Sequence, residues 1–419
     1  MPKLVHAADL HLDSPLVGLE RYEAAPVAEL RRATRDALDR LVELCVTERA
    51  DLLLIAGDLF DGSWRDYSTG LFLCERMARL REAGVEVVWL RGNHDAASRL
   101  THHLRMPENV RELSSHEPES VTFERLNLVV HGQGFARAAV ETDLSARYPA
   151  AVAGALNVGL LHTALEGREG HAPYAPCRLS ALIDRGYDYW ALGHVHAHEV
   201  VHRDPWVVYP GNLQGRFARE TGPKGAMLVE FDGARVTAVE HRALDVVRWA
   251  RVNLDASACA TLDDVAEAVR DALTEVAESA GQRLLAVRIE VGGRTRAHAA
   301  LLADAERALA SVRAAGLDVA GASVWIERVD FATRPPGEPL DRLGTERGPL
   351  ADLLREIEDL RRDPDSLATF LAELPGLAEL TRKLRLPAQP GETDELLPSA
   401  LLDDALALLL ARLADADAE

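Results

Sequence analysis

The stretch DLLLIAGDLFD (51–61) is a run of five apolar residues closed by Gly57 and Asp58. An apolar run of this length, bounded by turn residues, reads as a strand buried on both faces. Two other stretches repeat the pattern. KLVHAADLH (3–11) ends on Asp9 and His11, and VEVVWLRGNHD (85–95) ends on Asn93, His94 and Asp95. Between the first two runs, Leu30, Ala37, Leu38, Leu41, Leu44 and Cys45 recur with a helical period, and a second helix fits 70–83. Strand, helix, strand, helix, strand predicts a parallel α/β sheet.

Further strands are expected at 121–130, 156–161, 187–192, 206–209 and 225–231, with fewer long helices between them. A second, more antiparallel sheet follows from that. The predicted fold is α/β: two facing mixed β-sheets flanked by helices over residues 1–244. From about 245 the pattern changes. Strands at 249–254, 284–291 and 322–329, with helices at 261–280 and 298–315, predict a small α+β domain over 245–332 that holds no candidate ligands. Residues 333–419 read as the linker TRPPGEP (333–339) and a helical tail, with amphipathic helices near 348–361, 365–373, 376–384 and 398–414. A chain of 419 residues exceeds one ordinary core, which agrees with several domains.

The bulk properties exclude several classes. The four cysteines, Cys45, Cys74, Cys177 and Cys259, form no CxxC pair, which argues against a thiolate zinc site and a disulfide framework. MPKLVHAADL enters a strand directly, so no secretory signal is expected, and no apolar run is long enough to span a membrane. A cytoplasmic protein is expected. The net charge of −20 is unfavourable for a DNA-binding protein, but residues 336–419 hold 19 acidic and 9 basic side chains, half of that excess in the last fifth. No basic stripe predicts strong non-specific nucleic-acid binding by this chain alone.

The ends of the apolar runs carry the chemistry. Asp9 and His11 stand at i and i+2, a spacing that turns both to one side at a strand end. Asp58 after Gly57 can bridge two ions. Asn93 offers an amide oxygen, His162 an imidazole after the apolar run ALNVGLL (155–161), and His194 and His196 again stand at i and i+2. Carboxylate, amide oxygen and imidazole suit hard divalent cations. Two such ions ~3.5–4 Å apart acidify a water, hold phosphate oxygens and stabilise developing charge, so the set predicts metal-assisted cleavage of a phosphoester. His94 is the expected proton donor to the leaving oxygen, with Asp95 orienting its ring. Arg216 and Arg219 follow the loop 210–215 and are candidates for phosphate contact, with Lys224 a weaker one. Phe217 and Trp206 are expected to pack in the core. His6 and His131 read as structural, and His102, His103, His198 and His202 as surface residues.

The ordered set DLH, GDLFD, GNHD, LLH and GHVH resembles the calcineurin-like metallophosphoesterases, over roughly residues 4–231. Within that superfamily, HAADLHLDSP (6–15) and YPGNLQGR-(4)-TGPKG (209–225) are similar to DNA-repair exonucleases of the SbcD/YhaO type. The resemblance implies a first metal on Asp9, His11, Asp58 and His196, and a second on Asp58, Asn93, His162 and His194. It also implies manganese as the activating ion and His94 as the catalytic residue. Some relatives carry a histidine three residues after the bridging aspartate. Asp61 stands there, so that histidine's role does not transfer. The implied partners are DNA and a separately encoded SMC-like coiled-coil ATPase, and a two-fold nuclease dimer is common in relatives. The 245–332 domain becomes a capping domain, and the C-terminal helices an ATPase-docking element. The apolar stretch LLPSALLDDALALLLARL (396–413) suits that docking, with packing on the chain's own body as the alternative. Two other readings use the same residues: a phosphoesterase for small diesters or phosphoproteins, and a non-catalytic scaffold.

Overall fold

The apolar runs lie at the centre of two six-stranded sheets in the computed structural model, which describes residues 1–14, 25–61, 67–97, 105–167, 174–319, 323–336, 349–363, 366–367 and 369–370. In chain order the strands are β1 (Lys3–Ala7), β2 (Leu52–Ile55), β3 (Glu86–Trp89), β4 (Val110–Glu112), β5 (Glu119–Phe123), β6 (Leu128–Gly132), β7 (Leu156–His162), β8 (Tyr189–Gly193), β9 (Glu199–Arg203), β10 (Trp206–Tyr209), β11 (Gly225–Asp232) and β12 (Arg235–Ala243). The first sheet has the order β12-β11-β1-β2-β3-β4 and the second β5-β6-β7-β8-β10-β9. The mixed α/β architecture agrees with the reading of the sequence.

Each sheet contains three parallel and two antiparallel pairings, so the second is not the more antiparallel of the two. Parallel pairing needs a long enough crossover, not a long helix. Among the described residues, the chain returns from β6 to β7 through residues 133–155, and from β7 to β8, with only short helical segments. The single strand expected at 121–130 is two, β5 and β6. They are separated by a 3-10 turn at Glu124–Leu126 and by Asn127 at φ +49°.

Both faces of the first sheet are covered. Val5, Leu53, Ile55 and Val87 pack with Leu38, Leu41 and Cys45 of α1 (Val27–Thr47) and with Leu73, Met77 and Leu80 of α2 (Tyr67–Glu82). Leu4, Leu54, Val88, Val130, Val158, Leu160, Tyr189, Val208 and Val229 fill the space between the sheets. Alternation along each strand sends neighbours to opposite layers, which is why the runs are apolar throughout. The register aligns Ala7, Ile55 and Trp89, and His162 with Gly193. The carboxyl ends of β1, β2, β3, β7 and β8 thus carry the candidate ligands, where parallel sheets place their sites.

Beyond residue 245 a third sheet has the order β13-β14-β15, with β13 Val247–Asp255, β14 Leu284–Arg294 and β15 Ser323–Arg334. The helix expected at 261–280 is present at Leu262–Ala280. The helices of the chain continue as α3 (Asn93–Ala97), α4 (Leu179–Asp184), α5 (Leu262–Ala280), α6 (His298–Ala303), α7 (Ala305–Leu317) and α8 (Pro349–Arg362). A reciprocal cap starts α5: the Asp264 N–H donates to Thr261 Oγ1 at 3.2 Å, and the Thr261 N–H donates to Asp264 Oδ2 at 2.9 Å. The helix expected at 298–315 is divided, because the Asp304 side chain caps α7 by accepting from the Arg307 N–H at 2.9 Å.

The chain divides into two compact units. One comprises Met1–Arg251, Ala280–Val287 and Gly321–Glu327, and the other the described residues of Val252–Ser279, Arg288–Ala320 and Arg328–Glu419. The stretch 396–413 and the helices expected at 376–384 and 398–414 lie outside the described residues, as do His102 and His103. All four cysteines are free. No helix among the described residues is long and apolar enough to cross a membrane.

Candidate metal centre

Four of the expected ligands stand in strained backbone. Asp9 (φ +51°), His11 (φ +44°), Asp58 (φ +54°) and His194 (φ +100°) all take positive φ, a region that non-glycine residues rarely occupy and that clusters at functional sites. The strain is held by main-chain bonds between strand ends. The Asp9 N–H donates to Gly57 O and the His11 N–H to Asp58 O, each at 3.0 Å. Gly92 passes so close to Asp58 that a Cβ there would lie 2.2 Å from Oδ1. Only glycine lets the β3 turn approach the carboxylate.

The side chains converge from far apart in the chain. His11 Nε2 lies 3.2 Å from His196 Nε2, 185 residues away. His196 Nε2 is 3.8 Å from Asp9 Oδ1, and His11 Nε2 is 3.9 Å from Asp58 Oδ2. His162 Nε2 is 3.0 Å from Asn93 Oδ1 and 3.6 Å from Asp58 Oδ2. Asp9, His11 and His196 form one group whose ligand atoms lie within 4.8 Å of one another; Asp9, Asp58 and His162 form another, and His11, Asp58 and His94 a third. The His194 N–H donates to both oxygens of Asp9, at 3.0 and 3.2 Å, and its ring stands 5.1 Å from that of His162.

The protonation states fit a cation site. His162 Nδ1–H donates to Ala56 O at 2.9 Å and His196 Nδ1–H to Glu220 Oε1 at 2.6 Å, so both rings present an unprotonated Nε2. Burial lowers the His162 pKa to about 3 and that of His11 well below the usual imidazole range, which keeps both rings neutral as ligands must be. Burial, then the charge of Asp58, raises the Asp9 carboxyl well above its ordinary value, and burial pushes Asp58 up to about 6. Two buried carboxylates this close call for compensating positive charge. The donor set of oxygens and imidazole nitrogens therefore fits two hard divalent cations, with Asp58 in two of the three groups.

His94 stands at the rim, its side chain 40% exposed and its ring edge-on to His11 at 4.9 Å. Its orienting partner is Asp61, not Asp95: His94 Nδ1 lies 2.8 Å from Asp61 Oδ1. The bond to Asp61, against the effect of burial, raises the His94 pKa. Burial works to raise Asp61, but bonds from His94 and Ser14 and the nearby Arg216 charge outweigh it and hold the carboxyl at about 2. Asp95 points back into the fold, where it accepts the N–H groups of Leu59 (3.2 Å), Phe60 (3.1 Å) and Gly92 (3.1 Å). It supports the loop after Asp58. Burial, then the charge of Asp58, pushes its carboxyl up to about 7 despite those three donors.

The basic candidates divide. Arg219 is exposed and lies over the Phe217 ring at 5.8 Å. Lys224 is buried, and its Nζ donates to His196 O at 2.6 Å. Arg216 is nearly buried between Asp61 and Glu220. Trp206 packs at the edge of the core between the sheets, and His6 and His131 are buried and hydrogen-bonded away from the site. The reading of the sequence named neither Glu220 nor the Asp61–His94 pair. The spacing GDLFD offered a signal for Asp61. Glu220 lies in the unread gap of the 209–225 pattern, where a buried glutamate looks like a surface one.

Residues 2–198 match the family described as calcineurin-like phosphoesterase, and residues 249–334 the one described as metallophosphoesterase YhaO, middle domain. The chain belongs to the calcineurin-like metallophosphoesterases. It is 35% identical over 276 residues to the uncharacterized metallophosphoesterase YhaO of Bacillus subtilis, across 65% of this chain and 67% of that protein. It is 31% identical over 280 residues to the DNA double-strand break repair protein Mre11 of Methanopyrus kandleri, across 59% of this chain and 58% of that protein. Against the protein of the same description in Saccharolobus solfataricus the identity is 23% over 248 residues, across 55% and 61%. The chain thus spans about three-fifths to two-thirds of the length of these relatives.

Proposed function

We propose that this metallophosphoesterase is a manganese-dependent DNA exonuclease that acts in DNA repair with an SMC-like coiled-coil ATPase. The observation that carries the phosphodiesterase reading is the convergence of Asp9, His11, Asp58, Asn93, His162 and His196 from separate strand ends, with His94 at the rim. Similarity to proteins described as Mre11, together with the 209–225 segment, supports the DNA-directed reading.

Asp9, His11, Asp58 and His196 would hold one cation, and Asp58, Asn93, His162 and His194 the other. When bound, such a pair supplies an acidified water and a clamp on the phosphate oxygens. The chain's own residues do the rest. The Ala56 carbonyl and Glu220 fix the two imidazoles in one tautomer, so that no proton competes at Nε2. His94, oriented by Asp61, stands where it can give its proton to the leaving oxygen. Gly92, having no Cβ, leaves the Asp58 carboxylate the room it occupies, where a Cβ would lie 2.2 Å from Oδ1.

The test is an assay of the purified full chain with manganese on linear duplex, closed circular DNA and a chromogenic diester, with and without the ATPase. Degradation of linear duplex and sparing of closed circles is the expected result. Diester hydrolysis with no DNA cleavage, even with the ATPase present, would place the protein among small-ester or phosphoprotein enzymes. Inertness on every substrate would favour the scaffold.

A further inference from the structure

The segment 209–225 is built around one histidine. The Asn212 N–H donates to His196 O at 3.3 Å, and Lys224 Nζ donates to the same carbonyl at 2.6 Å. Glu220 Oε1 accepts His196 Nδ1–H at 2.6 Å, while its Oε2 accepts the Arg216 N–H at 2.7 Å and Asn212 Nδ2 at 2.9 Å. The Arg216 guanidinium spans two carboxylates. Nη2 donates to Glu220 Oε1 at 3.2 Å, and Nη1 donates to Asp61 Oδ2 and Ser14 Oγ, each at 3.4 Å. The Arg216 side chain is 11% exposed and that of Glu220 6%.

We infer that Glu220 and Arg216 are positioning residues, Glu220 setting the ring of His196 and Arg216 tying Glu220 to Asp61, the carboxylate that sets His94. The inference rests on the two-metal reading above and assigns Arg216 to the protein's own scaffold in place of the phosphate contact expected from its sequence position. A buried glutamate needs a buried cation, and a guanidinium can serve two acids at once where an ammonium offers a single point of charge. The support for the metal-facing imidazole and the support for the proton donor are thereby joined through one side chain.

Manganese titration of the full-length chain by calorimetry tests Glu220. In Glu220→Gln, one of two sites should weaken by about 10–100-fold while the other keeps its affinity. Equal affinities in variant and wild type would overturn the assignment. So would a Glu220→Gln chain that has lost its circular dichroism signature, which would make Glu220 a folding residue only. Arg216→Lys gives the second reading: kcat on the chromogenic diester should fall about tenfold with KM unchanged. A KM raised tenfold at unchanged kcat would return Arg216 to the substrate and overturn its positioning role. A wild-type chain that takes up no manganese would fail the two-metal reading itself, an outcome distinct from the others.

Discussion

His162 and His196 present the same nitrogen to the centre but are held by different means. His162 is fully buried, donates Nδ1–H to the main-chain carbonyl of Ala56 and has Phe135 edge-on at 5.4 Å. Its surroundings are strand backbone, and a Cβ on Gly57 would lie 2.5 Å from its Nδ1. His196 is 22% exposed and leans on Glu220, Arg216 and Lys224, all from the segment after β10. One support comes with the sheet. The other is a cluster of side-chain charges that substitution can alter while the sheets stay intact. Orientation of the His162 side should therefore resist side-chain substitutions in the 209–225 segment, and that of the His196 side should respond to them.

Four experiments break or sharpen that contrast. The largest effect is expected at the far end of the charge cluster, where His94→Gln should lower kcat by about 10²–10⁴-fold and leave manganese binding intact. Near-normal turnover in that variant would remove His94 as the proton donor. Next, Gly57→Ala forces an alanine into φ +92° against the His162 ring. It should lower turnover by about 10²-fold, as small misplacements do, and reduce stability by about 1–3 kcal/mol. Unaltered metal affinity there would mean that the backbone does not set His162.

Asp95→Asn addresses stability in place of catalysis. An amide can accept from only one side of a carboxylate that takes three N–H groups, so the unfolding free energy should drop by about 1–3 kcal/mol in a denaturant titration. A stable variant that lost turnover as His94→Gln does would give Asp95 the orienting role after all.

His6 is a buried histidine outside the centre, and near neutral pH its effect is the smallest. Its Nε2–H donates to Leu192 O and its Nδ1 accepts from the Tyr189 hydroxyl, so both nitrogens are satisfied in the neutral ring. Burial lowers its pKa from 6.5 to about 3. The unfolded chain takes up this proton below pH 6.5 and the folded chain does not until about pH 3. Stability from this group is therefore complete above pH 6.5 and lost as pH falls toward 3, by about 1.4 kcal/mol per pH unit. His6→Gln should flatten the wild-type slope by that amount in metal-free protein. Identical slopes would show that His6 titrates alike in both states.

The strands of the core were legible because burial on both faces leaves an unbroken apolar run, as at Leu52–Ile55 and Leu156–His162. β12 was missed because it is an edge strand whose residues alternate and stay largely solvated, which resembles a loop. The turn that divides 121–130 depends on Asn127 at positive φ, a choice that composition does not announce.

The candidate ligands could be named from the sequence itself. Carboxylate, amide and imidazole at the ends of buried runs are local facts, whereas the positive φ that Asp9 and His11 take beyond the end of β1 is not. The order of those motifs also identifies the family. Only the tertiary structure decided which carboxylate serves which imidazole. Asp95 adjoins His94 in the chain yet faces the main chain of another loop, while Asp61 and Glu220 reach their histidines across 33 and 24 residues. Such pairings follow from the φ of a few strained residues and from the packing of separate strand ends, and neither is written in the spacing of the letters.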